Sequence, residues 1–443
     1  MKKKKILILG AAGRDFHNFN TVFRSKKDVK VVAFTATQIT GIAGRTYPAS
    51  LAGPLYPDGI PIIDENEMES FIAKNKIDEV VFSYSDVTND KIMQVAARAG
   101  ASGATFTLLP PQMTYLTASV PVIAVCAVRT GCGKSQTTRF VIDYLRSKGK
   151  KVVAIRHPMP YGNLEKQKIQ RFEKLEDLDR YECTIEEREE YKPHIERGNV
   201  IYAGVDYQAI LEEAQKEAEI IIWDGGNNDT SFIKPDMLIV VTDPFRPDAP
   251  ITHYHGMLNF ILADVILINK VDTAKTDDVN KLKNLAKKMN PAAKVIEAES
   301  PITVTTDFPL KGKKVAVVED GPTLTHGDMT FGAGTVAAKN AGVSEIIDPR
   351  PYAKGLIKSA FEKYPHLGSV VPALGYLEQQ MKDLEATLNA IPCDAIVSAT
   401  PADLTLLLKL QKPVINIKYE LSDTRTPSLR SCIDTFLEKI STR

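Results

Sequence analysis

Short apolar runs rich in β-branched residues recur along the chain, separated by longer stretches whose apolar positions fall at helical spacing. In the first part the runs are Ile6 to Leu9, Val29 to Phe34, Glu79 to Ser83 and Ala104 to Leu108. The segment "LLPPQMTYLTASVP" then carries three prolines and no clear period, which sets a boundary near residue 118. Beyond it the runs are Val122 to Val128, Lys151 to Ile155, Glu219 to Trp223, Met237 to Thr242 and Val265 to Ile268. After "AESPITVTTDFPLKGKK" a third set follows at Val315 to Val318, Ala395 to Ser398 and Val414 to Ile417. Alternation of this kind predicts an α/β fold on mostly parallel sheets, in three blocks over 1–118, 119–300 and 301–443. The charged stretch "LEKQKIQRFEKLEDLDRYECTIEEREE" reads as a solvated helical region.

Composition narrows the partners. A chain of 443 residues has room for two or three cores. Lys plus Arg number 56 against 55 for Asp plus Glu, so net charge offers no attraction to nucleic acid or an anionic membrane. Neither is expected as a partner, and any polyanion must be met by a local cluster of cations. The start "MKKKKILILG" runs straight from lysines through a short apolar run into glycine, which is a first strand rather than a leader. No apolar stretch approaches the roughly 20 residues of a spanning helix. The five cysteines are scattered and odd in number, which fits a reducing cytosol.

The run Val122 to Val128 leads into Arg129-Thr130-Gly131-Cys132-Gly133-Lys134-Ser135 and then into a helical pattern with Phe140, Ile142, Tyr144 and Leu145. This is nearly the phosphate-binding loop G-x-x-x-x-G-K-[ST], with Val128 at the first glycine position. Gly131 and Gly133 let backbone N–H groups converge on phosphate oxygens, with Cys132 and Gln136 on either flank. Lys134 reaches the terminal phosphates and Ser135 offers a hydroxyl to magnesium. A magnesium nucleotide also needs a strand-end carboxylate, which "EIIIWDGGNND" supplies in Asp224, with Gly225 and Gly226 leaving space for a γ-phosphate. "VILINKVDTA" adds Asn269, Lys270 and Asp272 as N-K-x-D, a guanine-reading motif in GTPases. The central block is thus expected to be a P-loop nucleotide-binding domain, preceded by a Rossmann-like domain and followed by an α/β extension. Arg129, five residues before Lys134, stands where one subclass of P-loop proteins carries a second lysine that crosses a dimer interface, so a homodimer is expected.

The strings "ILGAAGRDFHNFN", "GIAGRTYPASLAGPLYPDGIPI", "IRHPMPYGNL", "DPFRPDA" and "EDGPTLTHGDMTFGAGTVAAKNAG" together resemble the cyclic 2,3-diphosphoglycerate synthetase family over nearly the whole chain. Asp248 and Ala249 depart from the glycine and histidine expected there. The resemblance implies ATP-dependent closure of 2,3-diphosphoglycerate to its cyclic anhydride, with magnesium, releasing ADP and phosphate. Every reactant is then a polyanion, so catalysis is positioning and charge neutralisation. The expected catalytic groups are Lys134, Arg129, Asp224, Arg156 and His157, and the expected substrate contacts are Arg14, Asp15, His17, Asn18, Arg45, Arg246 and His326. A GTPase of the metal-insertion type and a kinase acting on another phosphorylated acid fit the same motifs.

Overall fold

The computed structural model describes residues 2–37, 42–157, 162–226, 229–304, 306–374 and 378–442. Residues 158–161 and 227–228, within two of the strings quoted above, lie outside them.

Three sheets follow one another along the chain. The first holds β1 (Lys4–Leu9), β2 (Val29–Ala36), β3 (Thr46–Tyr47), β4 (Ile60–Asp64), β5 (Glu79–Phe82) and β6 (Thr105–Leu108) in the order β3-β4-β2-β1-β5-β6. All its pairings are parallel except β3 with β4. The central sheet contains β7 (Val122–Ala127), β8 (Val152–Arg156), β9 (Ile169–Phe172), β10 (Val200–Gly204), β11 (Ile220–Asp224), β12 (Met237–Thr242), β13 (Val265–Ile268) and β14 (Lys294–Glu297). Its order is β14-β13-β12-β7-β11-β8-β10-β9, antiparallel only at β9. The third is built from β15 (Ile302–Val304), β16 (Lys314–Asp320), β17 (Glu345–Ile346), β18 (Val371–Ala373), β19 (Ala395–Ala399) and β20 (Val414–Tyr419), ordered β15-β20-β19-β16-β17 with β18 beside β16.

Every residue of β7, β11, β12 and β13 is buried. Strands covered by helices on both faces must be apolar throughout, and this is why these four were legible as continuous runs. The stretch read as one solvated helical region instead contains β9 and two short helices, Leu175–Arg180 and Ile185–Ile195. Phe172 is fully buried against Tyr181 and Tyr191, and this aromatic contact overrides the charged composition around it.

The helix Lys134–Ser147 sends Thr138, Val141, Ile142 and Leu145 into the central core, the i, i+3, i+4, i+7 face of an amphipathic helix. Its flank is closed by the final helix, Leu429–Ser441, which leaves the third sheet and returns to the central core through Leu429, Cys432, Ile433 and Phe436. Tyr144 donates to Asp434 at 2.8 Å and the Arg430 guanidinium lies 4.9 Å from the Phe140 ring centre. The chain end is therefore part of the nucleotide unit's core. Ile433→Ala, at a fully buried position, is expected to cost roughly 2–5 kcal/mol and to lower the transition of the central unit in chemical denaturation. An unchanged midpoint counts against this packing.

Candidate functional site

The site forms where the C-terminal edges of neighbouring parallel strands meet, the place at which open α/β sheets bind ligands. β7 feeds the glycine loop, β11 beside it ends at Asp224, and β8 beyond ends at Arg156, which pairs in register with Asp224. Gly131 and Gly133 have φ of 84° and 107°, a region that favours glycine. A Cβ on Gly133 would lie 2.1 Å from Asn269 Nδ2. Among the described residues the backbone N–H groups of Gly131, Gly133, Lys134 and Ser135 find no acceptor, and neither does the Ser135 hydroxyl. The loop is thus a nest of free donors at a helix N-terminus, suited to an anion.

Asp224 is fully buried and surrounded by donors. One oxygen accepts from Lys134 Nζ at 2.6 Å and Thr138 Oγ1 at 3.0 Å. The other takes Arg156 at 2.9 Å, with His194 Nε2 at 3.5 Å. Burial alone would raise this carboxyl's pKa, but the Arg156 and Lys134 charges outweigh it and hold it well below the usual range. For Lys134 burial dominates, with the Arg156 charge, and its pKa is lowered. Arg156 also pairs with Glu190 at 2.8 Å.

Gly226 was expected to leave room for a γ-phosphate; the His157 ring takes that space instead, its atoms 2.4 Å from a Cβ placed there. His157 Nε2 in turn lies 3.0 Å from Asp229.

Arg129 is held within its own chain rather than extended from it. Its guanidinium bonds His253, the His326 carbonyl and Asp328, the last at 2.9 Å, with Asp86 at 3.5 Å. It therefore joins the N-terminal, central and C-terminal units. Arg246 bonds the Gly327 carbonyl at 2.5 Å and Asp243 at 3.3 Å. The His326 side chain is exposed, and its Nδ1 lies 3.2 Å from Thr325 Oγ1.

The N-K-x-D residues divide their roles. Asn269 donates to the Cys132 carbonyl at 3.0 Å and Lys270 to the Gly131 carbonyl and Asp243, both at 2.7 Å, so both brace the loop. Asp272 accepts from Ser300 N at 3.0 Å, and Ser300 Oγ meets Gln136 at 3.1 Å. One Asp272 oxygen is therefore engaged before any base arrives.

The first-loop residues face elsewhere. Arg14 bonds Asp229 at 3.0 Å, Thr114 at 3.3 Å and Thr230 Oγ1 at 2.7 Å, with its guanidinium 4.4 Å from the Phe232 ring centre. His17 stacks on Phe232 at 4.0 Å, and its Nε2 lies 2.7 Å from the Thr114 carbonyl. Asp15 caps its own loop, accepting from Ala12, Gly13 and Phe16 N–H groups, and Asn18 donates to Ser83. Arg45 reaches the Gly162 carbonyl at 2.7 Å, further along the seam between the two units. These contacts tie the N-terminal unit to the nucleotide unit and stand apart from the loop and Asp224. Sequence reasoning missed Asp229, Phe232, His194, Glu190 and Asp86. Only Asp229 carried a signal, as the last residue of the string that supplied Asp224.

A P-loop core with its strand-end carboxylate, set between two further α/β units, defines a nucleotide-binding protein. Residues 208–297 match the CobW/HypB/UreG nucleotide-binding domain. Over 433 residues the chain is 58% identical to the arginine synthetase ArcE of Thermococcus kodakarensis, covering 98% of this chain and 97% of that one. The chain belongs to that arginine synthetase family. To the cyclic 2,3-diphosphoglycerate synthetase of Thermococcus sibiricus it is 25% identical over 285 residues, 59% of this chain and 62% of that one. The family expected from the sequence strings is thus a more distant relative. Among solved structures, LpxK from Aquifex aeolicus in complex with ATP aligns with a TM-score of 0.43 at 11% identity, over 78% of this chain and 95% of that one. HypB from Archaeoglobus fulgidus gives 0.27 at 21%, over 41% and 81%. No helix among the described residues is long and apolar enough to cross a membrane.

The buried histidines make the fold acid-sensitive. Burial and the Arg14 charge push His17 down to about 3, and burial pushes His255 down to about 4. Both are neutral when folded but take up protons near pH 6.5 when unfolded, so stability falls as pH drops below about 6.5. Asp15, raised to about 6 by burial, acts oppositely and offsets one of them between about pH 4 and 6. Between pH 7 and 5 His17 alone is expected to contribute a loss on the order of 2 kcal/mol. Denaturation midpoints of wild type and His17→Gln at both pH values check this, the variant showing the shallower dependence.

Proposed function

We propose that the chain is an ATP-dependent synthetase that makes arginine, activating a ureido oxygen by phosphoryl transfer and displacing the phosphate with ammonia. The observation that carries this reading is the 58% identity to an arginine synthetase over 98% of the chain. A ureido carbon and a guanidinium carbon share an oxidation level, so no redox partner is required. Oxygen on a ureido carbon is a poor leaving group as it stands. Moving the γ-phosphoryl of ATP to that oxygen gives ADP and a phosphorylated isourea. The ammonia lone pair then forms the new C–N bond as the C–O bond breaks, and one ammonia proton leaves with the phosphate.

In this reading the free N–H groups from Gly131 to Ser135 cradle the polyphosphate, and Lys134 exchanges Asp224 for a γ-phosphate oxygen. Arg156 then keeps Asp224 ionised and in place. Asp224 and the Ser135 hydroxyl, at the start of the loop helix, would hold a magnesium ion, which would supply charge neutralisation between the phosphates. Arg129 and Arg246 add two further cations near the loop, paired to Asp328 and Asp243.

With ATP, magnesium, ammonium and the ureido amino acid of arginine's skeleton, equal yields of arginine and phosphate are expected. Turnover with 2,3-diphosphoglycerate and a cyclic product would transfer the assignment to the more distant relative. Lys134→Ala should lower kcat by about a hundredfold or more with the fold intact, because the γ-phosphate loses its cation in the transition state. Near-normal turnover of that variant at saturating nucleotide removes Lys134 from the reaction.

ATP is expected to be preferred over GTP. A guanine-reading aspartate accepts two hydrogen bonds from the ring, whereas one Asp272 oxygen is already bonded to Ser300 N. One lost bond at about 1–2 kcal/mol corresponds to roughly tenfold in kcat/KM. A GTP advantage that disappears in Asp272→Ala would reverse this assignment.

A further inference from the structure

A cavity of about 270 Å³ opens at the seam between the N-terminal and central units, away from the glycine loop. Its one wall is the helical stretch from Arg14 to Phe23, which presents His17, Asn20, Thr21 and Arg24 at spacings of three and four, a single face. That stretch widens into a π-helical turn over Phe19–Phe23, closed by the bond from Arg24 N to the Phe19 carbonyl at 2.8 Å. Such turns carry a cost in geometry and recur at functional sites.

The lining carries several hydrogen-bond donors and a single carboxylate. The Arg24 guanidinium makes no ion pair or hydrogen bond among the described residues. Asn20 accepts from Tyr47 through its oxygen at 3.1 Å, which leaves its amide N–H groups to the cavity. Tyr115 keeps its proton, its pKa pushed up to about 12 by burial, and adds a third donor. The carboxylate is Asp206, one oxygen of which caps the following helix through Ala209 N at 3.3 Å. Among the described residues its other oxygen has only the half-exposed Lys168 ammonium, at 4.0 Å. A free guanidinium with further donors and one carboxylate in the same cavity match a zwitterion. A phosphate would meet Asp206, and the volume lies under the roughly 300–1,000 Å³ typical of drug-sized pockets, too small for a nucleotide.

We infer that this cavity binds a free α-amino acid, its carboxylate on Arg24 and Asn20 and its cationic end on Asp206. The charge pattern names the ligand class independently of the reaction; the reading above only selects arginine and its ureido counterpart as probes. An occupant there is felt at the loop. Tyr207, which also lines the cavity, donates to the Arg156 carbonyl at 2.7 Å, and Arg156 holds Asp224 at 2.9 Å.

Calorimetric titration of the full chain with L-arginine, and separately with the ureido amino acid, tests the site. Saturable binding of at least one is expected, weakened about tenfold or more in Arg24→Gln and in Asp206→Asn, with ATP affinity unchanged. Asparagine also caps helices, so the second variant keeps the local fold. Competition with the amino-acid substrate in steady state marks a substrate subsite, and mixed or uncompetitive behaviour marks an effector site; either supports the assignment. No binding at millimolar concentration, or unchanged affinity in both variants, overturns it. A chain that binds arginine through Arg24 and Asp206 yet makes none keeps this site and loses the arginine-synthesis reading. One that makes arginine and binds it equally well in both variants does the reverse.

Discussion

The buried carboxylate of Asp224 is the constraint around which the nucleotide unit is arranged. An isolated anion with no exposure would be costly, and its stability here depends on Lys134, Thr138, Arg156 and His194 all reaching it. Those four come from the loop helix, from β8 and from the helix Ile185–Ile195, so one charge fixes three elements against β11. Parallel register makes this possible. β8 and β7 flank β11, and their C-terminal ends deliver Arg156 and the glycine loop to the same side. The core supports the arrangement from beneath, with Val125, Ile155, Ile222 and Trp223 wholly buried under the charged layer.

Arg129 extends the same logic to the other two units. A guanidinium offers several donors in a rigid plane, and here they are distributed over Asp86 from the first unit, His253 from the second and Asp328 with the His326 carbonyl from the third. Asp86 and Asp328 both have left-handed backbones, with φ of 62° and 54°, as does Lys270 at 59° on the opposite side of the loop. Non-glycine residues hold that conformation at a cost, and it persists where surrounding contacts enforce it, often at working sites. Three such residues converge on one loop, so its surroundings are set by contacts rather than by local preference.

Legibility in the sequence followed the distance over which each feature is encoded. The loop, the helix after it, Asp224 and the N-K-x-D segment are each written in a few consecutive residues, and their strands are apolar runs because both faces are covered. Arg14 with Asp229 is different. Two hundred and fifteen residues separate the partners, and nothing near either one announces the other. The same holds for β9, a strand of four residues inside a charged stretch, whose reason is Phe172 packing on two tyrosines. The long strings that suggested a diphosphoglycerate substrate are divided in the structure: Arg14, His17 and Arg45 hold the seam between the first two units, whereas Arg156 and Arg246 stand near the glycine loop.

The near-zero net charge of the chain, +1 over 443 residues, has a consequence at this site. Each cation around the loop already holds an acid: Lys134 holds Asp224, Lys270 and Arg246 share Asp243, and Arg129 holds Asp328. A polyphosphate therefore meets a neutralised surface, and its binding is an exchange of partners rather than a capture by free charge. Every carboxylate released by such an exchange is left near the incoming phosphates, which is repulsive unless a further cation arrives with them. A divalent ion bound with the nucleotide would supply that cation, with Asp224 and Ser135 as the residues that would hold it. The close pairing of every cation at the loop and the expected need for magnesium thus have a common physical origin.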